Sequence, residues 1–329
     1  MKEYIDEAHA NNCKVKIYYT VRELCNRAPE LYALLSLGKE IFSDGKGNGY
    51  AWLQEHLNQH YIAAWFVDHY KDAAIVNSGI SRWHNFYVEG LDWLVKNVGI
   101  DGLYIDDLAF DRNTMKRVRK VLDASGREAR IDLHSANQFN KSDGFINSAC
   151  LYMEHMPYLD RLWLGEYFDY SAAPDYWMTE VSGLPYGMMG EMLQGGGNPW
   201  RGMVYGMTPR LYQGSEVPKY LWKVWDEFGI KQSRMIGYWV SYNPVKTSNK
   251  NVLATSFVKE DGTTMISVAS WAPKPVKVKF SYDWDMLKIN KETAKLNAPA
   301  ITDFQEAMTL SADDSFTIEP GKGYIFILK

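Results

Sequence analysis

Cysteine is scarce in this chain: three in 329 residues, Cys13, Cys25 and Cys150, with no CxxC spacing among them. That argues against a disulfide framework and against a zinc ribbon. Charge of one sign is also lacking. Thirty-six basic residues stand against 40 acidic ones, a formal net charge of −4. No basic stripe is interleaved with aromatics, so no nucleic-acid partner is expected. There is no run of about eighteen apolar residues, which excludes a membrane-spanning helix. No signal peptide is expected from the chain's first residues. Its start, "MKEYIDEAHANN", reads as an amphipathic helix with Tyr4, Ile5 and Ala8 on one side.

What the chain has in quantity is aromatic side chains: 12 Trp, 22 Tyr and 13 Phe. They suit sugar stacking and large cores alike, so composition alone decides little. Order along the chain says more. Short apolar runs at 14–20, 101–106, 129–135, 161–166, 202–207 and 234–239 alternate with helical patterns. In 80–99, Trp83, Phe86, Tyr87, Leu91 and Leu94 recur at helical spacing, with Gly99 at the stop position. Strand, loop, helix and strand in that order predict a parallel sheet covered by helices, and a (β/α)₈ TIM-barrel-like α/β domain is the expected form. Eight strands are reached only by adding 63–67 and 148–153, so one or two βα units are expected upstream of a barrel entered late. From about residue 246 the chain becomes β-branched runs and turns ("NVLATSFV", "TTMISVASW", "VKVKFSY", "GYIFILK"), broken by one helical stretch, "INKETAKLN". The expected division is a barrel over 1–245 and an antiparallel β-sandwich over 246–329.

The chemistry concentrates at "GLYIDD". Leu103 and Ile105 share one strand face; Tyr104 and Asp106 share the other. The aliphatic face should meet helices, which turns Asp106 into the barrel mouth at the C-terminal end of its strand. Asp107 has the opposite parity and is expected to orient a neighbour or cap the next turn. Both could instead be plain turn residues. In "IDLHS" His134 should face inward, with Asn137 in the following loop, both suited to hydroxyl groups. The next strand ends at "LWLGEYFDY", where Trp163 and other aromatics surround Glu166. Desolvation there would raise its pKa and favour proton donation, while Asp106 among polar groups stays ionised. Glu166 could equally be an ion-pair partner of Arg161 or Arg201. Glu180, Asn198, Trp200 and Trp239 are read as walls of the site, and Gly195–Gly197 as a loop over it. No HxH or HExxH spacing supports a metal, and no cofactor is expected.

"SRWHNFYVEGLDWLVKNVGIDGLYIDDLAFDR", "IDLHSANQFN", "YLDRLWLGEYFDY" and "EMLQGGGNPWRGMVYGMTPRL" resemble a bacterial family of glycoside hydrolases related to glycoside hydrolase family 123. The resemblance implies a TIM-barrel catalytic domain followed by a β-sandwich, a longer parent, and a periplasmic or extracellular setting. Family 123 uses an adjacent Asp-Glu pair with help from the substrate's acetamido group. Here the pair is Asp106-Asp107, so on that mechanism Asp107 would be the acid and Asp106 the orienting residue. The leading expectation is a hydrolase with Asp106 as nucleophile or base and Glu166 as general acid. Tyr104, His134, Asn137, Trp163, Glu180, Asn198, Trp200 and Trp239 would hold a carbohydrate. The alternatives are a non-catalytic carbohydrate-binding barrel and a metal-dependent hydrolase using Asp106, Asp107 and His134.

Overall fold

Residue patterns account for the elements of the computed structural model, which describes residues 1–19, 21, 23–24, 29–37, 40–41, 73–74, 81–106, 110–134, 154–164, 168–181, 189–192, 197–211 and 216–329. The expected strands at 63–67 and 148–153 lie outside these residues, as do Asp107, Asn137, Glu166 and the glycines at 195 and 196. The chain forms two compact units, Met1–Tyr167 with Ser182–Pro185, and Phe168–Val181 with Tyr186–Lys329.

In the first unit, Ser81 opens the helix Arg82–Trp93 by accepting the Trp83 N–H at 3.1 Å. Trp83, Tyr87 and Leu91 form its buried face. The helix runs on through a π turn, Leu94–Val98, and stops at Gly99, whose φ of 84° is left-handed. The strand face it leads to follows the alternation in the sequence. β1 (Ile17–Tyr18), β2 (Gly102–Asp106), β3 (Arg130–His134) and β4 (Arg161–Leu164) pair in parallel in that order. Leu103, Ile105, Ile131, Leu133 and Leu162 are fully buried, while Tyr104, Asp106 and His134 on the other face are half-buried. The opening helix spans Lys2–Ala10 and buries Ile5, but Tyr4 is exposed, so its apolar face is narrower than the sequence implies.

The second unit corrects three expectations. Residues 202–207, read as a strand, belong to the helix Pro199–Val204, followed by the strand Met207–Pro209. Asn198 caps that helix, accepting the Arg201 N–H at 2.9 Å, and Pro199 suits its first turn. The strand Met207–Pro209 runs parallel to Met189–Met192. Ser233–Ile236, in the run 234–239 counted with the barrel strands, instead pairs antiparallel with Val252–Lys259. That register carries Met235 into the apolar cluster of the helix Val217–Phe228, where Leu221, Trp225 and Phe228 meet Phe257, Met265 and Ile325. "INKETAKLN" is a turn and a strand, not a helix. Asn290 accepts the Glu292 N–H at 2.9 Å, and Lys295–Ala298 then buries Leu296 and Ala298.

The remaining strands form the expected sandwich. Val245–Thr247, Val276–Tyr282 and Ser315–Ile318 make one antiparallel sheet. Met308–Ser311, Lys295–Ala298, Gly323–Leu328, Thr264–Ser270, Val252–Lys259 and Ser233–Ile236 make the other, in that order. Val278, Phe280, Phe316 and Ile318 from the first sheet meet Ile266, Val268, Phe326 and Leu328 from the second. Every residue of Thr264–Ser270 is buried, because the helix Pro199–Val204 packs on its outer face and shares an apolar cluster there with the helix Val217–Phe228.

Candidate active site

Parallel register assembles a site at the C-terminal ends of β1–β4. Tyr18 is opposite Tyr104, Asp106 is opposite His134, and His134 is opposite Trp163. These residues point to one face of the sheet, the face the sequence assigns to Asp106. The Tyr18 hydroxyl donates to Asp106 Oδ2 at 2.8 Å. His134 Nδ1 lies 2.6 Å from Asp106 Oδ1. An ionised carboxylate only accepts, so it selects the tautomer with the proton on Nδ1. The Tyr104 hydroxyl lies 3.1 Å from the same nitrogen. Tyr104 meets Trp163 edge-on, ring centres 4.9 Å apart, which gives the carboxylate an aromatic wall.

Tyr18 is a site residue the sequence reading did not single out. Its strand is two residues long, too short for a visible alternation. The signal available was parity with Lys16 in "KIYYT", which places both opposite Ile17. Behind Tyr18, Tyr19 donates its N–H to the Tyr104 carbonyl at 3.1 Å. Tyr19 and Tyr87 also exchange hydroxyl-to-carbonyl hydrogen bonds of 3.1 and 2.8 Å. Burial pushes the Tyr19 hydroxyl up to about 12, so it remains a donor across the neutral range.

Deeper on the same face lies an ionic layer. Asp132, almost fully buried, pairs with the Lys16 ammonium, and the Arg161 guanidinium stands 3.8 Å away. Lys16 reaches Asp132 across β2, on which Tyr104 is the residue in register with Asp132. Among the described residues, no group of three or more His, Cys, Asp or Glu is placed to hold a metal ion.

The other expected site residues fall in the second unit. Asn198, besides capping its helix, donates to the Gly321 carbonyl at 3.0 Å. Trp200 donates to the Phe304 carbonyl at 3.2 Å and stacks on that ring, centres 5.2 Å apart. Trp239 lies parallel to Tyr205, centres 5.9 Å apart. Glu180 sits in the helix Pro174–Val181. The two arginines considered as Glu166 partners have other contacts as well: Arg161 near Asp132, and Arg201 donating to the carbonyls of Ser270 and Tyr170.

Among the described residues no helix is long and apolar enough to cross a membrane. No curated protein matches the chain. Solved structures do. An α-amylase from Geobacillus thermoleovorans, solved with acarbose, is 12% identical with a TM-score of 0.62, over 100% of this chain and 80% of that one. An Anoxybacillus α-amylase is 10% identical with a TM-score of 0.62, over 99% and 78%. A family 27 β-L-arabinopyranosidase from Geobacillus stearothermophilus is 13% identical with a TM-score of 0.55, over 100% and 77%. Identities this low carry the fold alone. The profile described as glycoside hydrolase 123, TIM-barrel domain, matches residues 1–212, which hold β1–β4 and the parallel strands Met189–Met192 and Met207–Pro209. The profile described as glycoside hydrolase 123, C-terminal domain, matches residues 217–329. The chain is therefore a glycoside hydrolase with a carbohydrate substrate, and it belongs to glycoside hydrolase family 123.

Proposed function

We propose that Asp106 is the carboxylate that acts at the glycosidic bond of an oligo- or polysaccharide, with Glu166 as general acid. The observation that carries this reading is the placement of Asp106 at the C-terminal end of β2, half-buried, with Tyr18 and His134 each bonded to one of its oxygens. Barrel enzymes gather their chemistry at that end of the strands. Cleavage of an acetal needs one carboxylate to meet developing positive charge and one carboxylic acid to protonate the leaving oxygen. Glu166 follows β4 by two residues in the chain, between Trp163 and the Tyr167–Phe168 pair, and is read as the second carboxyl. The working place of the protein on this reading is the periplasm or the outside of the cell.

A second reading draws on the same hydrogen bonds. A carboxylate with both oxygens held by protein donors suits an orienting group, with Asp107 as the acid and the substrate's acetamido oxygen as nucleophile. Aryl glycosides separate the two readings. Asp106→Asn should lower kcat by about 10²–10⁴-fold with little change in Tm. The variant of the true acid, Glu166→Gln or Asp107→Asn, should keep activity on a nitrophenyl leaving group and lose it on a sugar leaving group. Wild-type activity in Asp106→Asn would refute both readings.

A further inference from the structure

We propose that Tyr18 and His134 are paired positioning residues that lock the plane of the Asp106 carboxylate from the two strands flanking it. This rests on the role given to Asp106 above. A carboxylate turns freely about its Cβ–Cγ bond, since that torsion is broad and two-fold. One donor leaves it a hinge; two donors on different oxygens, from different strands, remove the rotation. Here Oδ2 accepts from Tyr18 on β1 at 2.8 Å and Oδ1 from His134 on β3 at 2.6 Å. Both are charge-assisted and short, the strong class of hydrogen bond.

The two donors are themselves held. The backbone beside Tyr18 is tied to β2 by the Tyr19 N–H bond to Tyr104 and to the helix Arg82–Trp93 by the reciprocal Tyr19–Tyr87 bonds. His134 is in register with Asp106, and its Nδ1 also meets the Tyr104 hydroxyl. Tyr104 in turn packs against Trp163. The proton on Nδ1 is directed at Asp106, so the influence of His134 on substrate through that nitrogen passes through the carboxylate. A residue that touches sugar directly changes binding; one that sets a carboxylate's angle changes the rate.

The test uses the full chain and the 4-nitrophenyl glycoside that the unsubstituted protein cleaves fastest. Tyr18→Phe keeps the ring and removes the donor, and kcat should fall about tenfold, the worth of one hydrogen bond to a charged group. His134→Leu should lower kcat about a hundredfold. His134→Asn, whose amide nitrogen falls near the position of Nδ1, should recover about tenfold of that loss. KM should stay within about twofold throughout. A raised KM with unchanged kcat, or equal rates for His134→Leu and His134→Asn, would overturn the proposal. Full activity of Asp106→Asn would instead remove the reading beneath it. A second measurement needs no substrate: in ¹⁵N-histidine spectra the His134 Nδ1–H resonance should lie far downfield and move in Asp106→Asn. An unmoved resonance would also overturn the proposal.

Discussion

Lys16 and Asp132 form an ion pair across a strand to which neither belongs: Lys16 precedes β1, Asp132 is on β3, and β2 runs between them. Two residues before Tyr104, the β2 residue opposite Asp132, stands Gly102. Its φ of 145° is one that side-chain-bearing residues rarely adopt, and a Cβ there would lie 1.9 Å from the Arg130 carbonyl oxygen. The close approach of β2 and β3 thus depends on this missing side chain.

The first prediction follows from the unequal exposure of the pair. Asp132 is 4% exposed, so its charge cannot turn to water once Lys16 is lost. Lys16→Met should destabilise the protein by about 3 kcal/mol, the low end for breaking a buried pair, because Arg161 remains 3.8 Å away. Lys14 pairs with Glu128 in the open, both side chains more than half exposed. Lys14→Met should therefore be indistinguishable from the parent protein. Urea titrations of the two variants decide it; equal losses would mean that burial is not what makes the Lys16 pair matter.

How much of this was legible in sequence depended on whether the decisive contact was local. Parity within "GLYIDD" and "IDLHS" was enough to turn Tyr104, Asp106 and His134 to one face, because a strand alternates whatever lies beyond it. The same rule shows Asp132 sharing that face with His134, but not that a lysine more than a hundred residues earlier would reach it. Short apolar runs were the weak point. "GMVYGM" fits helix and strand alike, and the capping Asn198 outside the run decided it. Likewise, β-propensity made Ser233–Ile236 a strand without saying which sheet it would join. The antiparallel pairing puts Met235 against the apolar cluster that includes Leu221, Trp225 and Phe257, a tertiary contact.

A second prediction concerns pH. His155 is buried and donates its Nε2–H to the Phe110 carbonyl at 2.9 Å. Burial holds its pKa below the usual histidine value of 6.5, outweighing the opposite pull of Glu154. The unfolded chain therefore takes up this proton first. The contribution of neutral His155 is complete above about pH 6.5 and is lost as pH falls from there through the depressed pKa. Urea midpoints should drop across that interval, and His155→Asn, which cannot titrate, should flatten part of the drop. An identical pH slope in the variant would assign the acid sensitivity elsewhere.

The last prediction tests what joins the two sheets of the sandwich. Asn243 lies between the strands Ser233–Ile236 and Val245–Thr247, which belong to different sheets, and is 4% exposed. Its Nδ2 donates to the Ala254 carbonyl at 2.8 Å. Its Oδ1 accepts the Val245 N–H at 3.2 Å and the Ser256 hydroxyl at 2.7 Å. One side chain therefore serves three polar groups in a place where water cannot replace it. Asn243→Ala abandons all three and should cost about 3 kcal/mol or more, at about 1–3 kcal/mol for each buried group left unpaired and with some relief from relaxation. Ser256→Ala removes one donor and leaves Asn243 with its other two partners, so it should cost about 1 kcal/mol. Asn243→Asp keeps the acceptor but replaces the donor to Ala254 with a second acceptor, so it should fall closer to Asn243→Ala than to Ser256→Ala. Thermal and urea unfolding of the three variants give the order directly. If Ser256→Ala were as damaging as Asn243→Ala, the serine and not the asparagine would be the residue that ties the sheets.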